Sequence, residues 1–134
     1  MAKKINYIYA IGKRKESSAR VRLYHGQREN TVNGISVEKY FPGVLYETVW
    51  KKPFRVTETI DKYYFSAKIA GGGKQGQLEA LSHGISRALA KASKEKFRPP
   101  LKKLGLLTRD ARTRQRRMVG MGGKSRRKKQ SPKR

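Results

Sequence analysis

At 134 residues the chain has room for one small domain and an appendage but not for two ordinary domains; its lack of cysteine removes disulfide frameworks and thiolate metal sites, and having only His25 and His83 argues against a zinc site. Its 34 Lys and Arg against 9 Asp and Glu give a formal net charge of +25, a self-repulsion that a bound polyanion relieves. No apolar run approaches the roughly 20 residues of a membrane span and no basic segment carries the apolar face of an interfacial helix, which leaves nucleic acid as the leading partner.

Met1-Ala-Lys-Lys4 leads straight into strand-like sequence, without a signal peptide's apolar core or a presequence's Ser/Arg-rich amphipathic lead; the expectation is a protein that works where it is made. Ile5 to Ile11 and Ala19 to Tyr24 are rich in β-branched and aromatic residues and predict an antiparallel hairpin. In the second strand Val21 and Leu23 alternate with Arg20, Arg22 and Tyr24, the period-two pattern of a sheet with one buried and one cationic face. A short strand at Thr31-Val32 ends at the turn dipeptide Asn33-Gly34. Ser36 then has the chemistry of an N-cap for a short helix ending before Pro42.

Val44 to Trp50 predicts a helix in which Leu45, Val49 and Trp50 supply the apolar payload and which Pro53 closes. Phe54 to Val56 and Tyr63 to Ala70 predict strands, the latter alternating Phe65, Ala67 and Ile69 with Tyr64, Ser66 and Lys68. After Gly71-Gly-Gly73 comes the clearest helix, with Leu78, Leu81, Ile85, Ala88 and Ala92 spaced by three and four. A shorter helix is expected from Pro99 to Leu104, its prolines in the first turn. This mixture indicates an α+β two-layer sandwich over residues 1–107.

From Thr108 to Arg134, Lys124, Lys128, Lys129, Lys133 and eight arginines face Asp110 alone, net +11 over 27 residues. With Met118, Val119 and Met121 as its only sizeable apolar residues, such a segment is expected to be an extended tail, ordered only when bound. The rest of the chain, net +14, holds nearly all the apolar side chains.

Three stretches carry candidate chemistry. Gly71-x-Gly73-x-x-Gly76 follows a predicted strand, opens a helix and has Glu95 about twenty residues on, which satisfies the dinucleotide fingerprint. The chain is too short for the parallel units of a doubly wound sheet, and the glycine spacing is not that of a Walker A loop. Backbone N–H groups of Gly71, Gly72, Gly73 and Lys74 before a helix still suit a phosphate, while a plain turn with positive φ explains them equally. In the turn Gly12-Lys-Arg-Lys-Glu-Ser-Ser-Ala-Arg20, Lys13, Arg14, Lys15 and Arg20 offer charge, and Ser17 and Ser18 offer hydroxyls, to phosphate or ribose. Arg22 belongs to the adjoining cationic strand face. The tail presents Arg109, Arg112, Arg114, Arg116 and Arg117, then Gly120-Met-Gly-Gly123, then Lys124, Arg126, Arg127, Lys128 and Lys129. Neither a Ser/His/Asp spacing, nor paired carboxylates, nor a metal-ligand cluster is present, so no catalytic residue, metal, cofactor or small-molecule substrate is expected.

Gly12-Lys-Arg-Lys-x-Ser-Ser-Ala-Arg-Val-Arg-Leu23, Thr31-Val-Asn-Gly34 with Tyr40-Phe41, Gly71-Gly-Gly-x-x-Gly-Gln77, His83-Gly-Ile-Ser-Arg-Ala-Leu89 and Leu101-Lys-Lys-x-Gly-Leu-Leu-Thr-Arg-Asp110, followed by a terminal Lys-Arg, occur in this order. The chain thereby resembles the small-subunit ribosomal protein S-nine family, in its bacterial and plastid branch. The resemblance implies a sandwich of the ribosomal protein S-five domain-two-like type in the head of the small subunit. It implies 16S-type rRNA and neighbouring head proteins as partners, in the cytoplasm or in the plastid stroma for a plastid-encoded chain. It further implies that the tail crosses rRNA toward the anticodon arm of the P-site tRNA, where Lys133 and Arg134 meet its phosphates. The family often ends Gln-aromatic-Ser-Lys-Arg; here Gln130 is followed by Ser131 and Pro132. On charge alone, a free RNA chaperone or DNA-compacting protein is the rival, and a nucleotide-dependent enzyme built on the glycine loop is the second.

Overall fold

The computed structural model describes residues 7–116 and Val119. The predicted start of the first strand at Ile5 and Asn6, and the tail from Arg117 on apart from Val119, lie outside the described residues. Within them a five-stranded sheet has the order β1-β2-β5-β3-β4, formed by β1 (Ile8–Arg14), β2 (Ser17–His25), β3 (Thr31–Val32), β4 (Ile35–Ser36) and β5 (Tyr63–Ala70). Four helices accompany it: α1 (Val37–Tyr40), α2 (Val44–Thr57), α3 (Lys74–Ala92) and α4 (Lys94–Lys103). The protein is a mixed α+β fold.

Alternation along the strands decides where the core lies. Ala10, Val21, Leu23, Phe65, Ala67 and Ile69 are buried, and the register, with Ala10 opposite Val21 and Val21 opposite Ala67, puts them on one face. Leu78, Leu81, Ile85, Ala88 and Leu89 of α3 close over that face. Phe65, fully buried, meets Trp50 edge-on at 5.8 Å and stacks on Phe54 at 6.1 Å; its burial is worth about 1.5–3 kcal/mol.

Tight packing, rather than turn geometry, explains two glycines. A Cβ on Gly12 would lie under 3.0 Å from the Ala80 carbonyl oxygen and the Gly84 nitrogen, and one on Gly84 would come within 2.7 Å of Val21 Cγ2. Strand β1 and helix α3 thus cross glycine on glycine.

The short strands are held by asparagines. Asn33 donates its backbone N–H to the Ala67 carbonyl, accepts from the Ile69 N–H at 2.9 Å and donates Nδ2–H to the Ile69 carbonyl at 3.1 Å. Asn30 Oδ1 accepts from the Phe65 N–H at 3.0 Å. The parallel β3–β5 pairing of two residues is thereby lengthened by side chains. The Asn33-Gly34 turn is where it was expected, with both residues at positive φ.

Several expectations are corrected. Pro53 does not end α2, and Phe54 to Val56 are helical, not a strand. Trp50 and Phe54 stand four residues apart and both bury against Phe65, a gain that outweighs the single ladder bond a proline lacks. The helix stops instead at Glu58, which is left-handed at φ 57 and donates its N–H to the Arg55 and Phe54 carbonyls. Leu45 faces solvent at 83% exposure and belongs to no core. Helix α4 begins at Lys94, not Pro99, because Phe97 and Leu101 share an inward face and Phe97 N–H already bonds the Ser93 carbonyl. Its prolines sit in the interior of the helix. Ser36 occupies the N-cap position of α1 without a side-chain cap bond, and β1 and β2 extend far enough that only Lys15 and Glu16 remain as turn.

Candidate nucleic-acid interface

The β1–β2 turn and the loop entering α3 form one surface. Lys15 takes φ 53, Gly71 φ 80 and Gly72 φ 65. Ser17 Oγ donates to the Gly71 carbonyl at 3.0 Å, and Gln77 Nε2 donates to the same oxygen at 3.1 Å. A Cβ on Gly71 would stand 2.5 Å from the Glu16 carbonyl oxygen, and one on Gly72 would collide with Ser17 Oγ. These two glycines let hairpin and loop touch, which is the plain-turn explanation of their spacing. Gly73 differs: it is at φ −94, meets nothing within 4 Å and is the N-cap residue of α3. The first turn of α3 has no side-chain cap and no acid, and its earliest inward bond is from Gln77 N–H to the Gly73 carbonyl. The N–H groups of Lys74, Gln75 and Gly76 therefore point outward with the positive end of the helix dipole. A cleft of about 480 Å³ lies there, lined by Lys15, Gly72, Gly73, Gln75, Thr113 and Arg114 among others.

The sequence-predicted residues divide into outward and inward groups. Lys13, Lys15, Arg20, Arg22, Lys74, Arg109, Arg112, Arg114 and Arg116 are exposed, and Ser18 is half-buried. Ser17 and Arg14 turn inward instead. Arg14, with its side chain 11% exposed, donates Nε–H to Glu79 Oε2 at 2.6 Å and Nη1–H to the Arg112 carbonyl at 2.5 Å. Its Nη1 also stands 3.1 Å from Asp110 Oδ1. A guanidinium shared by two carboxylates and a carbonyl is a fastening, not a free phosphate donor. Asp110 in turn accepts from Arg112 at Nε, Nη2 and the backbone N–H, at 2.8–3.0 Å. These bonds, led by the Arg112 side chain and joined by the charge of Arg14, hold the Asp110 carboxyl well below the ordinary carboxylate range. Arg117, Lys124, Arg126, Arg127, Lys128, Lys129, Lys133 and Arg134 lie outside the described residues.

His83, whose place in the long helix beside Gly84 suggests a structural or RNA-facing residue rather than a base, completes the fastening. Its Nδ1 accepts from the Lys13 N–H at 3.4 Å, so the tautomer assigned to it has Nε2–H donating to the Leu107 carbonyl at 3.2 Å. Burial pushes its pKa below the usual value, with Arg87 and Arg109 adding to the effect and the Leu107 bond opposing it. A lowered folded-state pKa means that the folded chain binds fewer protons than the unfolded one, so stability rises with pH in that window. We expect denaturant titrations to show stability fully present above about pH 6.5 and lost as pH falls through the lowered value, with this component missing in His83→Gln. Equal pH slopes for the two proteins would sink the assignment.

Arg87 and Lys91, by contrast, were missed in the sequence. On successive turns of α3 they donate to the Ile11 and Tyr9 carbonyls at 2.6 and 2.8 Å, covering the outer edge of β1, which would otherwise template another strand. The i,i+4 spacing of two cations was the available signal.

Among the described residues, no helix is long and apolar enough to cross a membrane, and no group of three or more His, Cys, Asp or Glu could hold a metal ion. The sheet has one parallel pair, β3–β5, and α3 leads into α4 rather than a strand, so the glycine fingerprint does not sit in a doubly wound unit.

The family profile described as ribosomal protein S9/S16 matches residues 12–134. The chain is 44% identical over 123 residues to the small ribosomal subunit protein uS9 of Maridesulfovibrio salexigens, covering 92% of each. It is 45% identical over 115 residues to that of Desulfotalea psychrophila, 86% of this chain and 88% of the relative, and 46% identical over 112 residues to that of Leifsonia xyli subsp. xyli, 84% and 67%. A basic scaffold in which Arg14, Glu79, Asp110 and His83 serve as internal fastenings is, on these comparisons, a structural protein of the ribosome and not an enzyme. The chain belongs to the ribosomal protein S9/S16 family, whose curated bacterial members are proteins of the small subunit, the particle that decodes in translation.

Proposed function

We propose that this chain is a structural constituent of the small-subunit head, where it binds 16S-type rRNA and contacts neighbouring head proteins in the cytoplasmic ribosome. On this reading, residues 1–107 form a sandwich of the S-five domain-two-like type and residues 108–134 an extended basic arm. The observation that carries it is the family match across residues 12–134. Lys13, Lys15, Ser18, Arg20, Arg22, Lys74, Arg109, Arg112, Arg114 and Arg116 grip phosphates and riboses, with the N–H groups that follow Gly71, Gly72 and Gly73 taking one phosphate. Arg14 and Ser17 serve the interface from behind by shaping it. Arg117, Lys124, Arg126, Arg127, Lys128 and Lys129 neutralise rRNA along the arm, and Lys133 and Arg134 reach the P-site tRNA.

Sedimentation tests the assignment: the chain stays with the small subunit at moderate salt, and a free or nucleoid-bound pool overturns it. Deleting Lys133 and Arg134 is expected to weaken P-site tRNA binding only several-fold, each screened phosphate contact being worth about 1 kcal/mol or less, while incorporation into the subunit persists. Unchanged tRNA affinity, or failed assembly, refutes the division of labour along the tail.

A further inference from the structure

Among the described residues nothing covers the sheet face turned away from the helices, and its chemistry is not that of a solvated surface. Tyr7, Tyr24 and Tyr64 stand in a row across it, with ring centroids 5.7 Å apart for the first pair and 5.1 Å for the second, the latter rings only 12° from parallel. The guanidinium of Arg22 lies 5.1 Å from the centre of the Tyr7 ring. Arg20 pairs directly with Lys68 and Tyr24 with Tyr64, so cations and rings share one face. Strands β1, β2 and β5 contain no Asp or Glu. Cross-strand neighbourhood accounts for the contacts within the row, yet it leaves Tyr7 47% exposed with the Arg22 guanidinium over its ring.

Flat aromatic and guanidinium surfaces among cations are complementary to bases that have left a helix, since every base has a π-face and the phosphates beside it seek the neighbouring charge. A duplex cannot use this face in the same way, because its bases are stacked on one another. Resting on the RNA-binding function proposed above, we infer that the open face of the sheet is a stacking platform for unpaired bases of RNA, with Tyr7, Tyr24 and Tyr64 as the stacking surfaces and Arg20, Arg22 and Lys68 as phosphate partners.

The test uses the full chain, a single-stranded oligonucleotide carrying photoreactive 4-thiouridine, and an RNA duplex of equal phosphate number, at moderate salt. Crosslinks to the single strand are expected on peptides of β1, β2 and β5. Tyr24→Leu/Tyr64→Leu is expected to lose about fivefold or more in single-strand affinity and less than about twofold for the duplex. Tyr7→Ser, at an exposed position that the core does not need, gives a same-sign loss and guards against misfolding of the double variant. Unchanged affinities, with crosslinks confined to the hairpin turn and tail, overturn the platform and leave the RNA-binding function standing. Failure of the unmodified chain to bind either RNA defeats that function itself. Variants that bind both RNAs normally but no longer join the subunit's other proteins make the face a protein interface and also overturn the inference.

Discussion

Gly12→Ala is expected to destabilise the domain by about 3 kcal/mol or more, at the upper end of overpacking effects. The new Cβ would be driven into the Ala80 carbonyl oxygen and the Gly84 backbone nitrogen. Neither is the tip of a flexible side chain, so no rotamer change relieves the clash. Relief requires α3 to lift from β1 and β2, and α3 contributes Leu78, Leu81, Ile85 and Leu89 to the core. Gly73→Ala is the matched control: its φ is −94 and nothing stands within 4 Å, so its urea midpoint should scarcely move. A loss under about 1 kcal/mol for Gly12→Ala would show that helix and strand can separate cheaply there, and the glycine-on-glycine crossing would lose its structural importance.

The largest effect on binding is expected from ending the chain at Arg116. This removes Arg117, Lys124, Arg126, Arg127, Lys128, Lys129, Lys133 and Arg134, eight cations, while Arg14, Glu79, Asp110 and Arg112 keep their mutual contacts. If all eight neutralise rRNA phosphates, the slope of log affinity against log salt becomes shallower by about 5–7, from roughly 0.7–0.9 per phosphate. Affinity at physiological salt then falls by orders of magnitude, and most of the difference disappears at high salt. Filter binding across a salt series reads both quantities. An unchanged slope would mean that the globular domain alone carries the electrostatic contact.

Much of this architecture was legible because the apolar periods are clean. The alternation in Ala19 to Tyr24 and Tyr63 to Ala70 and the three-four spacing from Leu78 to Ala88 translate directly into buried faces. Proline was the main source of error: at Pro53 and at Pro99-Pro100 tertiary burial of Trp50, Phe54, Phe97 and Leu101 overrode a local rule about helix ends. The two-residue strands β3 and β4 have too little pattern of their own, and depend on Asn30 and Asn33 bonding across to residues over thirty positions away. At the interface, residue type gave the charge but not the direction. Nothing local marks Arg14 as inward and Lys13 as outward; that follows from strand alternation combined with Glu79 and Asp110, which are 65 and 96 positions further on.

The fastening at Arg14 also sets a geometric limit. By fixing the backbone at Arg112, it makes that residue the pivot from which the remaining 22 residues are measured. At no more than about 3.6 Å per residue, Arg134 can lie at most roughly 80 Å from that pivot. Any RNA atom that the last two cations touch must fall inside that sphere. Freeing the pivot would not lengthen the arm, but it would move the centre of the sphere and smear the concentration of terminal charge over a larger volume.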